Sequence, residues 1–110
     1  MLIEQKVKEY LDTELDVPVY LETPKNLPSQ YIVFTVISRG KEDHINNVTI
    51  EFMSYADSKF DAATLDETVR EAMENIVTYP DISCHFGGGN DSPDNTVKKY
   101  RYRCYFNLYY

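Results

Sequence analysis

The stretch Lys98–Tyr110, KKYRYRCYFNLYY, alternates over its whole length. Tyr100, Tyr102, Cys104, Phe106, Leu108 and Tyr110 fall on one side, and Lys99, Arg101, Arg103, Tyr105, Asn107 and Tyr109 on the other. A period of two with this many aromatics predicts a half-buried β-strand. A 3.6-residue period would scatter both sets around a helix axis. Left bare at a sheet edge, a strand this long would invite aggregation, so it is expected between well-paired neighbours.

Working outward, Tyr31–Ser38 (YIVFTVIS) and Val48–Tyr55 read as two more strands. In the second, Val48, Ile50 and Phe52 point one way and Thr49 and Glu51 the other. The first is apolar on both faces, which predicts a central strand. The two are expected to pair as an antiparallel hairpin with a long polar tip, Arg39–Asn47, around Gly40. Asp81–Phe86 reads as a short strand, and Gly87–Thr96 (GGGNDSPDNT) as a flexible loop by composition. Flexible loops are thus expected at about 39–47 and 87–97.

Residues 2–14 carry Ile3, Val7, Tyr10 and Leu11 on one stripe, an amphipathic helix broken at Leu15-Asp-Val-Pro, since Pro18 disfavours helix at Val17. Val17–Glu22 is a short extended piece before the Pro24/Pro28 loop. Ala62, Leu65, Val69, Ala72, Met73 and Ile76 mark a second helix over 59–77, capped by Asp57 or Ser58 and ended by Tyr79-Pro80. The order α-β-β-β-α-β-β in 110 residues predicts one α+β domain. Its sheet is mainly antiparallel, with both helices on one face. Val48, Ile50 and Phe52 should then pack against Leu65, Val69, Met73 and Ile76.

The formal net charge is −7, unevenly spread. The last thirteen residues hold four basic side chains and no acidic one; the rest hold seven basic and 18 acidic. Such a chain is a poor generic nucleic-acid binder, because phosphate binding needs a positive field. Unlike patches on neighbouring copies suit the split charge at least as well. No apolar run reaches the ~20 residues of a membrane span. Two cysteines make no disulfide framework, so a reduced, cytosolic chain is expected.

The candidate chemistry is thin. Gly87-Gly88-Gly89 lacks the strand–turn–helix setting of a dinucleotide fingerprint and the Lys-Ser/Thr of a P-loop, and reads as a plain loop. Cys84, His85 and Cys104, with His44 as a distant fourth, are too few and too scattered for zinc. Cys84 and His85 are consecutive and would face opposite ways on a strand, and no orienting partner for a Cys–His nucleophile is evident. Cys84 and Cys104 lie on strands expected to pair, so their thiols are expected to approach one another as free thiols. Asp61, Asp66, Glu67, Glu71 and Glu74 read as the solvated face of the second helix. The row Lys99, Arg101, Arg103 with Tyr105 and Tyr109 leaves open a small nucleic-acid or regulatory binding module, in which aromatics stack bases. Arg101 and Arg103 project from the polar side of their strand, so reversing both to Glu is expected to spare the fold.

Three stretches together resemble a known family: VPVYLETPKNLPSQYIVF (17–34), TIEFMSYADSKFDAATLDETVREAM (49–73) and KKYRYRCYFNLYY (98–110). Val17–Tyr20 before a Pro-containing loop, Ile50–Ala56 feeding a helix, and Arg101–Phe106 in a Tyr-rich closing strand are similar, in that order, to the tail completion or tail terminator proteins of long-tailed bacteriophages. The resemblance implies a virion protein made in the bacterial host cytoplasm and placed at the head–tail junction. It implies a homohexameric ring that caps the tail tube and docks to the head, with the tail tube protein and a head-side connector as partners. DNA would only pass through the ring lumen. It implies no enzyme activity, cofactor, metal or membrane contact, and hence no catalytic residue. The surfaces expected to meet between subunits are the strand residues Lys99, Arg101, Arg103 and Tyr105 and the loop residues Gly87, Gly88, Gly89, Asn90 and Asp91. The acidic helix residues Asp66, Glu67 and Glu71 complete that set.

Overall fold

A computed structural model describes residues 3–22, 25–26, 28–78, 82–91 and 99–110 of the chain. The expected helix stop at Tyr79-Pro80, the loop over 92–97 and Lys98 lie outside the described residues. The elements run α1 (Ile3–Glu14), β1 (Val19–Tyr20), β2 (Tyr31–Glu42), β3 (Ile45–Ala56), α2 (Lys59–Glu74) with a 3-10 turn at Asn75–Thr78, β4 (Ser83–Asp91) and β5 (Tyr100–Tyr109). This is an α+β fold in the order that the alternation and helical stripes predict.

The sheet has the order β1-β2-β3-β5-β4. β1 is parallel to β2 over two residues, and every other pairing is antiparallel. β5 therefore lies between β3 and β4, paired on both sides, as its apolar alternation requires. The central strand is β3, not β2. Only Ile32 and Val33 of β2 have a β1 partner, and among the described residues the rest of β2 forms an open edge. Its early residues are apolar on both faces for another reason: Tyr31, Val33 and Tyr55 form a second buried cluster on the face away from the helices. There the Tyr31 and Tyr55 rings stack with centroids 4.6 Å apart.

Both helices pack on the other face. Ile3, Val7, Tyr10 and Leu11 of α1 join Leu65, Val69, Met73 and Ile76 in one buried cluster with Val48, Ile50, Phe52 and Phe106. The inward face of β3 is thus the one its alternation predicts. The Tyr10 hydroxyl donates to the Ala72 carbonyl at 2.6 Å and ties α1 to α2 inside that core. α2 begins at Ser58, whose hydroxyl accepts from the Asp61 amide at 3.1 Å and satisfies one of the free first-turn donors.

The expected loop at Arg39–Asn47 is instead the end of a long hairpin. β2 and β3 pair through Glu42 and Ile45 around the two-residue turn Asp43-His44. Both turn residues have positive φ, 50° and 68°, the geometry that matches the right-handed twist of the flanking strands. Asp and His are among the few non-glycine residues that enter this region readily.

β4 likewise runs through the glycines to Asp91, with a register shift between Phe86 and Gly88. Gly88 has φ +123°, a conformation that suits a glycine bulge. A Cβ there would meet nothing within 4 Å, so the backbone alone demands glycine. Gly88→Ala should therefore lower stability by roughly 1–3 kcal/mol, read as a lower urea midpoint with an unchanged slope; an unchanged midpoint would mean the bulge is absent. The register sets Cys84 opposite Leu108 and Cys104 opposite Gly89, so the two free thiols do not sit directly across from one another.

Candidate subunit interface

The predicted interface residues divide between the two faces of the molecule. Lys99, Arg101, Arg103 and Tyr105 share the sheet face that no helix covers, with Tyr109 exposed further along β5. Gly89, Asp66, Glu67 and Glu71 come together on the helix side, in a groove of about 570 Å³ that Arg70, Glu74 and Tyr102 also line. Gly87 and Gly88 belong to the β4 bulge beside it, and Asn90 and Asp91 continue β4 opposite Arg103 and Tyr102.

The basic row is not a bare positive stripe. Arg103 donates through Nη2 to Glu51 Oε2 at 2.8 Å and to the Tyr105 hydroxyl at 2.6 Å. Glu51 is 9% exposed, so the guanidinium neutralises a carboxylate held almost out of water. That hydrogen bond raises the Arg103 pKa above its ordinary value. Lys99 pairs with Asp57 and donates to the Ser29 carbonyl at 3.2 Å. Arg101 lies over the Tyr55 ring, 6.0 Å from its centroid. These pairings remove much of the field that a nucleic-acid backbone would meet. They also correct the expectation about charge reversal. Arg103 is the partner of a buried acid, so its replacement by Glu is now expected to act on the fold.

Asp66 is a second correction. It is 4% exposed and does not belong to the solvated face of α2. Its Oδ2 lies 2.9 Å from Arg70 Nε, and Arg70 in turn sits over the Phe86 ring at 4.7 Å. One i, i+4 pair thus links the acid on α2 to strand β4. Gly89 makes this approach possible: a Cβ there would strike Arg70 Nη2 and lie 2.7 Å from the Arg103 carbonyl oxygen. Glu51, Arg70 and Tyr102 were missed as parts of these surfaces. Glu51 lies on the outward face of β3 beside the basic row, and Arg70 four residues after Asp66, so both pairings had a signal in the spacing.

Burial raises the Asp66 pKa, against the opposing pull of Arg70. For an acid whose folded pKa lies above its unfolded one, ionisation destabilises the fold. The penalty is absent below the unfolded value of about 3.9 and complete above the folded value. Asp66→Asn should therefore raise the thermal midpoint at pH 7, with the gain vanishing as the pH is lowered towards 4. A gain that persists in acid would assign the effect to something other than ionisation.

Burial, with Glu74 nearby, pushes the Cys84 thiol up to about 12, and burial with Asp66 does the same to Cys104. Thiols held neutral are poor nucleophiles. Cys84 packs on the helix side against the core, whereas the His85 ring meets Tyr109 at 5.8 Å on the open face. The two thus face opposite ways, as their adjacency on a strand predicts. Among the described residues, no three His, Cys, Asp or Glu side chains converge to hold a metal ion. No described helix is long and apolar enough to cross a membrane. No family model matches the chain, and no curated protein matches it.

Proposed function

We propose that this chain is a structural subunit of a bacteriophage virion. In this reading it is a tail terminator that forms a homohexameric ring, caps the tail tube and joins tail to head, without enzymatic activity. The observation that carries the reading is the two-sidedness of the subunit. Helices cover one face of the sheet, while the other displays the aromatic and basic row of β5. The helix side presents a groove with four carboxylates against one guanidinium. A cyclic ring needs two different surfaces, because each subunit offers one to its neighbour and receives another. The resemblance of the three quoted stretches supports the same assignment.

The test is polymerisation of the cognate tail tube protein with and without the purified chain, followed by electron microscopy. Capping should stop elongation and leave a six-fold ring at the tube end. Tubes that grow to the same length in both samples, with bare ends, would refute the proposal. A salt-sensitive shift of single-stranded DNA or RNA without capping would favour a nucleic-acid module instead.

A further inference from the structure

We infer that the open edge of β2 takes β4 of a second copy of this chain as an added antiparallel strand, so that one sheet runs on into the next. This contact deepens the ring reading, and its cyclic form rests on that reading. Among the described residues the sheet ends at two strands. One end is β4, which pairs only with β5. The other is β2 beyond Val33, where β1 stops. The Ile32 amide donates to the Pro18 carbonyl at 3.0 Å, so it points out of the sheet on the β1 side. Backbone groups alternate along a strand, and the pairing of β2 is regular as far as Val36. The amide and carbonyl of Val36 therefore point the same way, past the end of β1. Such unpaired backbone is a template for strand addition. A groove of about 610 Å³ runs beside it, with Leu21, Phe34 and Val36 on the sheet side and Gln5, Lys8 and Glu9 of α1 opposite.

The other end of the sheet supplies a strand that fits. Beyond Val33, β2 continues for nine residues, Phe34–Glu42, and β4 has nine, Ser83–Asp91. Phe86 lies on the helix side of β4, 5.4 Å from the Phe106 ring, yet keeps 48% of its surface exposed at the sheet margin. Added beside β2, that ring would enter the groove under the neighbour's α1 and meet Leu21, itself 44% exposed. Polarity agrees. β2, β3, β5 and β4 alternate in direction, so β4 of one copy meets β2 of an equally oriented copy antiparallel. The helices of both copies then stay on one face. A single operation of this kind covers both edges, whereas pairing like edges covers one and closes a dimer. Unlike ends joined head to tail generate rings. Charge does not drive the contact, because Lys8 and Arg39 at the groove already pair with Asp12 and Glu4 of their own subunit.

The test is self-association of the full chain, followed by sedimentation velocity up to about 1 mM. Phe86→Gln on β4 and Leu21→Asp at the groove should each weaken association about tenfold. Both sites are exposed, so urea midpoints should stay near the parent's. An equimolar mixture of the two variants should recover association but stop at dimers, because each supplies the one surface the other lacks. In the parent, the Val36 amide should gain protection from hydrogen exchange on association. Backbone bonds and apolar contact should also hold at about 0.5 M salt, where surface charges are screened. Single variants that associate like the parent, a mixture no better than either variant, or an unprotected Val36 amide would overturn the inference. So would a parent chain that stays monomeric throughout, a result that leaves tube capping standing because a tube can template a ring through other surfaces. Conversely, association of the expected kind with no effect on tube length would uphold this contact and remove the terminator reading.

Discussion

Replacing Phe52 with alanine should lower the stability of this protein by about 3–5 kcal/mol, the range for emptying a buried aromatic site. Phe52 is completely buried at the centre of β3. Its ring is 5.5 Å from that of Phe34 on β2 and 6.0 Å from that of Phe106 on β5. Its backbone lies between those of Phe34 and Cys104, paired on both sides, so the site cannot collapse by moving one strand alone. For a domain of this size the loss corresponds to a fall of roughly 12–25 °C in the thermal midpoint. It is a large part of the 5–15 kcal/mol that holds a typical domain together. Phe60 is the control. It lies on α2 with 79% of its surface exposed, and Phe60→Ala should change stability by no more than about 0.5 kcal/mol. If the two variants melt together, the inward face of the sheet is wrongly assigned.

The residues of β3, α2 and β5 announced this core because each element has one wet and one dry side. Where both sides are wet, as at Arg39–Glu42, the sequence is uniformly polar and alternation carries no information, although the backbone still pairs. The turn there is made by Asp43-His44, without the Asn-Gly or Asp-Gly pair that marks such hairpins, and Gly40 drew attention to the wrong position. β4 hid for a related reason. Glycines have no side chains to alternate, and the strand is specified by its pairing with β5. Asp66 was legible in retrospect. Positions 62, 65, 66, 69 and 73 form one helical stripe, and an acid inside an apolar stripe implies a buried partner such as Arg70. The split of basic and acidic surfaces was visible in composition. Which face held which, and which cations were already neutralised, depended on strand order, since β5 had to lie beside β3 for Arg103 to reach Glu51.

That last contact yields the second large effect. Arg103→Glu should destabilise the fold by about 2–4 kcal/mol, somewhat below the 3–5 of breaking a fully buried pair, since Arg103 keeps 29% of its side chain exposed. The substitution removes the guanidinium from a nearly buried carboxylate and puts a like charge in its place. It also takes the donor from the Tyr105 hydroxyl. Restoring a neutral partner by Glu51→Gln in the same chain should recover most of the loss at pH 7, because no uncompensated charge remains buried. Denaturant titrations of the single and double variants at pH 7 measure both effects. If Arg103→Glu unfolds at the parent midpoint at pH 7, the ion pair contributes nothing to the fold. The basic row would then be a freely solvated surface, and charge reversal at Arg103 would become a clean probe of assembly.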